Sequence, residues 1–359
     1  MRPDLDALPP EQSGASAWRG PPLAMSDAWI VNLSPGNVDE LARATHAVIA
    51  RDLDPARLTA LVFPLPTLAA ELASLRDELL HRRGFALLRG LPIERFTRRQ
   101  AATLFIGLGT HLGLARSQNA KGHLLGHVCD LGFASSDPNV RIYQTHERQT
   151  FHTDSCDVVG LLCLREARSG GDSMLVSAAT IFNEMRARRP DLLARLLLPM
   201  AHDRRGEVPA GMQPWFELPV FSWLREAENG EPHGELTVFY QRQYIDSAQR
   251  FPDAPRLTHE DIEALDLFDA LANDPQLHLT MRLAPGDIQF VHNHTLLHDR
   301  TAFVDWPQPE RRRHLLRLWL SPAQGRELPA AFAQRYGTLL PGRRGGVPSA
   351  DGTLRANIE

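Results

Sequence analysis

Lysine is almost missing from this sequence: Lys121 is the only one in 359 residues, so nearly all positive charge is arginine. Schiff-base and pyridoxal chemistry need a reactive amine and would rest on that one side chain, which argues against them. Cysteine is scarce too. Cys129, Cys156 and Cys163 form neither a CxxC pair nor an even disulfide framework, which fits a reducing compartment. No apolar run reaches the roughly 18 to 20 residues of a membrane helix. The stretch Met1 to Met25 is proline-rich rather than basic and then apolar, so the expected location is the cytoplasm, away from membranes. An excess of positive charge is also lacking. The 39 Lys plus Arg face 43 Asp plus Glu, a net of −4, leaving no global field to draw in nucleic acid. Absence of GxGxxG, GxxxxGK[ST], GxSxG and HExxH removes support for nucleotide-binding, serine-hydrolase and zincin chemistry.

What is present reads as an ordinary globular chain, 43% hydrophobic and 23% charged. Residues 1–36 carry six prolines and little periodicity, which predicts an extended N-terminal arm. From Asn37, and again from Leu65 to Gly84, apolar residues recur at i, i+3, i+4, predicting two amphipathic helices. Phe85 to Ile93 is a short apolar run that predicts a strand, and Arg98 to Gly113 returns to helical period. After about Ala115 come short β-like runs, HLLGHV, VRIYQT, VVGLLCLREA and SMLVSAA, spaced as in an antiparallel sandwich or barrel. A central insertion, about 180–280, holds two further helical stretches and a Pro- and Gly-rich excursion from Asp203 to Pro232. The strands LHLTMRLAPGDIQFVHN and RRHLLRLWLS follow. Residues 37–340 are thus expected as one domain, mainly β with flanking helices. Residues 341–359 are expected as a mobile tail, or one used in contacts between copies.

The chemistry concentrates in two places. TFHTDS puts His152 and Asp154 two residues apart, on one face if the segment is a strand. Alone this is weak, since the composition gives about two His-x-acid triplets by chance. The later stretch VHNHTLLHDRTAF adds His292, His294 and His298. Two histidines and a carboxylate on one side of a metal suit non-haem Fe(II) with open positions for substrate and O₂, whereas structural zinc would fill all four positions. In RRRHLLRLWLS, Arg313 and Arg317 place permanent charge in what should be a core strand, and their planar forks suit a carboxylate partner. That partner could be a protein acid or a ligand.

Taken together, FHTD, GGDSMLVSA, PGDIQFVHN, LLHDRTAF and RRHLLRLWLS, in this order from about Phe85 to Leu320, resemble the taurine dioxygenase-like (TauD/TfdA) group of Fe(II)/2-oxoglutarate-dependent dioxygenases. The resemblance implies a double-stranded β-helix, the jelly-roll or cupin-like barrel. It implies His152, Asp154 and His298 as iron ligands, with His292 and His294 as less favoured competitors. Arg317 would bind the distal carboxylate of 2-oxoglutarate, and Ser173 of GGDS stands where relatives often carry Thr, a hydroxyl that also reaches the cosubstrate. The iron centre itself, with Fe(II), 2-oxoglutarate and O₂, would be the catalyst, without a separate acid or base. The activity implied is oxidation, most simply hydroxylation, of a C–H bond in a small amino-acid-like or carboxylate-bearing metabolite, with release of succinate and CO₂. Desaturation, cyclisation and epimerisation use the same oxidant and stay open. So does a metal cupin isomerase or hydrolase that does not use 2-oxoglutarate. Arg313 and Tyr143 are the candidate substrate contacts, and His123 and His127 are expected in supporting or surface positions. Residues 115–132 and 203–232 are expected as lids. A small molecule is the expected partner, and the oligomeric state is open.

Overall fold

The computed structural model describes residues 8–133, 141–209, 211–228 and 231–358. Several of the helices open on a capping side chain. Helix α1 is the short Gly20–Ala24 turn, and α2 (Pro35–Ala50) opens on a Ser34–Asn37 capping box with proline at its first position. Helix α3 (Leu68–His81) follows, and α4 (Arg98–Gly109) opens on a Thr97–Gln100 box. Each such cap satisfies amide N–H groups that the helix cannot, worth about 1 kcal/mol. The helical stretch after SMLVSAA is two helices, α5 (Ala178–Arg188) and α6 (Pro190–Leu196), because Pro190 cannot continue the first. Helices α7 (Arg242–Ala248), α8 (His259–Ala272) and α9 (Ala333–Tyr336) complete the set among the described residues. None is long and apolar enough to cross a membrane.

Two sheets carry the core. The strands are β1 (Ile30–Asn32), β2 (Phe85–Arg89), β3 (Leu114–Arg116), β4 (Leu125–Val128), β5 (Gln149–His152), β6 (Val158–Arg165) and β7 (Ser173–Ser177). They continue with β8 (Leu279–Met281), β9 (Ile288–His292), β10 (Leu296–Arg300) and β11 (His314–Ser321). The larger sheet runs β1-β2-β9-β6-β11-β3, with β4 also paired to β11, and the smaller runs β8-β7-β10-β5. Only β1 with β2 is parallel in these sheets.

Strand alternation sorts the side chains into layers. Along β11, Leu316, Leu318 and Leu320 join a cluster with Leu41, Leu72 and Leu104 of α2, α3 and α4. Leu315 and Trp319 join a different cluster, which also holds Phe85 and Val159 of the large sheet and Leu175 and Leu296 of the small one. The second cluster is therefore the space between the sheets. Val176 and Leu297, on the far face of the small sheet, pack with Ile181, Leu193 and Phe268 of α5, α6 and α8. The result is helix, sheet, sheet, helix, mainly β with flanking helices as expected.

Four expectations need correction. VRIYQT is not a strand: Ile142–Gln144 is a single 3₁₀ turn, closed by Gln144 bonding back to the Arg141 amide, and Val140 lies outside the described residues. The arm is not merely extended, since β1 joins the large sheet beside β2. The excursion after Asp203 holds paired strands, Met200–Asp203 with Trp215–Leu218 and Phe221–Glu228 with Glu231–Val238. The segment expected as a mobile tail packs: Arg344 is wholly buried, and Val347 and Ala356 lie in the core.

Candidate metal centre

β5 and β10 are antiparallel neighbours with His152 directly opposite His298. This pairing brings together two histidines that are far apart in sequence, with ring centroids 4.2 Å apart. Asp154 lies just past the end of β5 and turns its carboxylate to the same place. One ligand atom from each of His152, Asp154 and His298 lies within 4.8 Å of the others, and all three residues are buried. Nδ1 of His152 donates to the Thr150 carbonyl at 2.8 Å, which leaves Nε2 as the lone-pair nitrogen. Burial lowers the His152 pKa and pushes His298 down to about 3, the neighbouring His152 adding to the effect on His298. Both rings are therefore neutral near pH 7, as ligands must be. Burial would raise the Asp154 carboxyl, but the Arg317 guanidinium beside it and the Trp319 N–H oppose that, and the carboxyl lies below the usual range. A pair of neutral imidazoles and one ionised carboxylate is a donor set that fits Fe(II), and the Gln149 side-chain nitrogen lies 2.8 Å from His152 Nε2, on the lone pair that a metal would take.

The loop carrying Asp154 is held at every residue. Thr153 donates its amide to the Tyr240 carbonyl at 2.9 Å. The Asp154 amide donates to Asn293 Oδ1 at 2.9 Å, and the Asp154 carboxylate accepts from Trp319 Nε1 at 2.8 Å. Ser155 Oγ accepts from Arg335 at 3.0 Å, and its carbonyl accepts from the Gly346 amide at 2.8 Å. Asn293 Nδ2 donates to the Cys156 carbonyl at 3.1 Å. Asp157 accepts from Arg344 Nε, His294 Nε2 and Ser321 Oγ, each at 2.8 Å. His294 is thus committed to Asp157, and His292 Nδ1 pairs with Thr295 Oγ1 at 2.8 Å. Neither competitor histidine belongs to the His152 group. His127 lies beside His314, Nδ1 to Nε2 at 2.9 Å, away from the centre.

Two cavities open onto the centre. The inner one lies between the sheets, has a volume of about 40 Å³, and is lined by His152, His298, Ser173, Arg300, Arg313 and Arg317 among others. Odd positions of β11 face inward, so strand parity alone puts Arg317 on this side, with Arg313 just before the strand. Their surroundings differ. Arg317 Nε donates to Gln118 Oε1 at 2.8 Å, its Nη1 lies 3.4 Å from Asp154, and its guanidinium stands over Tyr143 and Trp319. Arg313 has no carboxylate within salt-bridge distance among the described residues, and its buried Nη1 has no hydrogen-bond partner there. Burial lowers its pKa. Gly171 of the GGDS motif makes room for it: a Cβ there would meet Arg313 Nε at 2.9 Å, and its φ of +76° disfavours other residues. Ser173 Oγ lies 3.1 Å from Gln289 Oε1, on the same cavity wall.

The outer cavity, about 240 Å³, is lined by His152, Asp154, Tyr143, Arg317 and Trp319 on the metal side. Gln118 and Asn119 of the first expected lid and Arg205 and Glu207 of the second also line it, together with Arg141, Tyr244 and Arg335. Sequence reasoning missed Gln118, Trp319, Arg141, Glu207 and Arg335. No local pattern marks them, because each is defined by a partner far away in the chain. Asn293 could have been found, since it lies between two of the histidines singled out.

Residues 50–319 match the family described as taurine catabolism dioxygenase TauD, TfdA family. The chain is 30% identical over 343 residues to FR-33289 synthase of Streptomyces rubellomurinus, covering 93% of this chain and 97% of that one. It is 32% identical over 185 residues to a uridine-5'-phosphate dioxygenase of an Amycolatopsis species, covering 49% of this chain and 62% of the other. Among solved structures, an asparagine oxygenase in complex with Fe(II), 3-hydroxyasparagine and succinate has the same fold, with a TM-score of 0.61 at 18% identity, covering 81% of this chain and 93% of that one.

Proposed function

The chain belongs to the TauD/TfdA family and is an Fe(II)- and 2-oxoglutarate-dependent oxygenase, and from that premise we propose how its residues divide the work. His152, Asp154 and His298 hold the iron, and the surrounding hydrogen bonds fix Asp154 before the metal arrives. The observation that carries this is the convergence of their ligand atoms within 4.8 Å where the two cavities meet. Iron, when bound, supplies O₂ activation coupled to decarboxylation of the cosubstrate. Belonging to this family leaves the metal cupin alternative without support. The two sheets are the halves of a double-stranded β-helix, and the buried free thiols Cys156 and Cys163 suit a cytoplasmic protein.

Arg313 and Ser173 hold the distal carboxylate of 2-oxoglutarate in the inner cavity. This revises the expectation for Arg317. A buried guanidinium without a protein carboxylate is costly unless an anion joins it, and Arg313 is in that position while Arg317 is already engaged. Arg317 and Tyr143 instead form the wall that the outer cavity shares with the centre, where they orient a small anionic metabolite, carboxylate-bearing or amino-acid-like. Burial of the cosubstrate behind the centre keeps bulk water from the reacting atoms. The reaction is oxidation of a substrate C–H bond, most simply hydroxylation, with release of succinate and CO₂.

The test is conversion of 2-oxoglutarate to succinate by the purified chain in air. Turnover should require added Fe(II), and Asp154→Ala should abolish it. Succinate formation that persists in Asp154→Ala would contradict the ligand assignment.

A further inference from the structure

The outer cavity carries more positive charge than a neutral or zwitterionic substrate would need. Arg141 and Arg335 approach it from distant parts of the chain and meet at Glu207, with Arg141 Nη2 2.9 Å from Glu207 Oε1 and Arg335 Nη2 3.9 Å from Oε2. Both forks are held from behind. Arg141 Nη1 donates to the Tyr244 hydroxyl at 2.5 Å, and Arg335 Nε donates to Ser155 Oγ at 3.0 Å. Two guanidinium groups thus share one carboxylate. Arg242 also lines the cavity, but Asp246, Asp266 and Asp269 already surround it. Glu207 sits on a surface turn after Arg205 and Gly206, both at positive φ, and its own amide bonds only three residues back, to the Arg204 carbonyl.

We propose that this pair of arginines is a subsite for a substrate bearing a phosphoryl-type dianion, a phosphate monoester or a phosphonate, and that Glu207 occupies its place until it binds. The inference rests on the outer cavity being the substrate site. Charge decides the class of ligand. A monoanion replacing Glu207 leaves one guanidinium charge uncompensated, as Glu207 does now, whereas a dianion matches both. Its three oxygens also accept from two forks at once, the geometry in which arginine binds phosphate most strongly. The rest of the substrate then extends past Tyr244 and Tyr143 toward the centre. Among the relatives, the protein named for uridine-5'-phosphate is consistent with a ligand of this charge.

The test is calorimetric titration of the full chain, loaded with Fe(II) and 2-oxoglutarate under nitrogen, with methylphosphonate, methyl phosphate and acetate. With the inner cavity filled by cosubstrate, either phosphoryl probe should bind at least about tenfold more tightly than acetate, the worth of one charge-assisted contact. The tighter of the two identifies ester or phosphonate. Arg141→Gln should lower that affinity about tenfold or more, and Glu207→Gln should raise it by a similar factor. Acetate binding as well as the phosphoryl probes, or equal affinity in Arg141→Gln and the unmodified chain, would overturn the proposal. The visible absorption of the Fe(II)–2-oxoglutarate complex, recorded on the same samples, reports the metal site separately. If the band forms and the discrimination is missing, only the dianion subsite is refuted. If the discrimination holds without the band, it is the metal assignment that falls.

Discussion

Replacing Arg313 by Ala should cost the protein its grip on 2-oxoglutarate while leaving its fold and metal site in place. The guanidinium is buried, lines the inner cavity, has no carboxylate within salt-bridge distance among the described residues, and its Nη1 has no hydrogen-bond partner among them. A carboxylate taken into that cavity would gain charge-assisted hydrogen bonds worth about 1.5 to 3 kcal/mol. At about 1.4 kcal/mol per factor of ten, their loss should weaken cosubstrate binding by roughly ten- to a hundredfold. The variant should not be destabilised in proportion, because what disappears is an uncompensated buried charge rather than half of an ion pair. Arg317→Ala differs. It removes the donor to Gln118 and the cation beside Asp154, so its main effect should be on metal and substrate binding. The assay is calorimetric titration of 2-oxoglutarate into each protein loaded with Mn(II), alongside thermal unfolding. Unchanged cosubstrate affinity in Arg313→Ala, with a large loss in Arg317→Ala, would refute the assignment and restore the one suggested by sequence.

Two further outcomes follow from the same structure. Arg344→Ala leaves Asp157 buried with one donor fewer, and breaking such a pair should cost about 3 to 5 kcal/mol. Urea unfolding would show it, and a loss below about 1 kcal/mol would mean that the C-terminal segment does not brace the metal loop. His202 is wholly buried, and burial pushes its pKa down to about 4. Between about pH 6.5 and 4 the unfolded chain binds a proton there that the folded chain does not, so stability falls as pH drops through that window, by up to about 3 kcal/mol. His202→Gln should flatten this part of the stability profile, and an identical slope in the variant would contradict the account.

Much of the centre was legible because the chemistry is local in sequence. His152 and Asp154 are two residues apart, and His298 lies in a run dense with histidine. What the sequence could not show is register: only the pairing of β5 with β10 sets His298, rather than His292 or His294, opposite His152. The two arginines of RRRHLLR are a similar case. Parity sends both inward, and the difference between them comes from Gln118, which β4 and the preceding loop bring to Arg317 but not to Arg313. VRIYQT alternates like a strand, yet a side-chain to backbone bond within it closes a 3₁₀ turn instead. The C-terminal segment has the Gly, Arg and Pro content of a loose end, and becomes ordered because Arg344 finds a carboxylate 187 residues away. Charge in a sequence has no visible partner until the fold supplies one.

The central claim is that His152, Asp154 and His298 present an iron that 2-oxoglutarate joins. Its most direct test is anaerobic titration of the metal-free chain with Fe(II) and then 2-oxoglutarate, following visible charge-transfer absorption. The account predicts a band that requires both additions and is lost in His152→Ala and in Asp154→Ala. Fe(II) binding without that band, or a band that survives in Asp154→Ala, would contradict it.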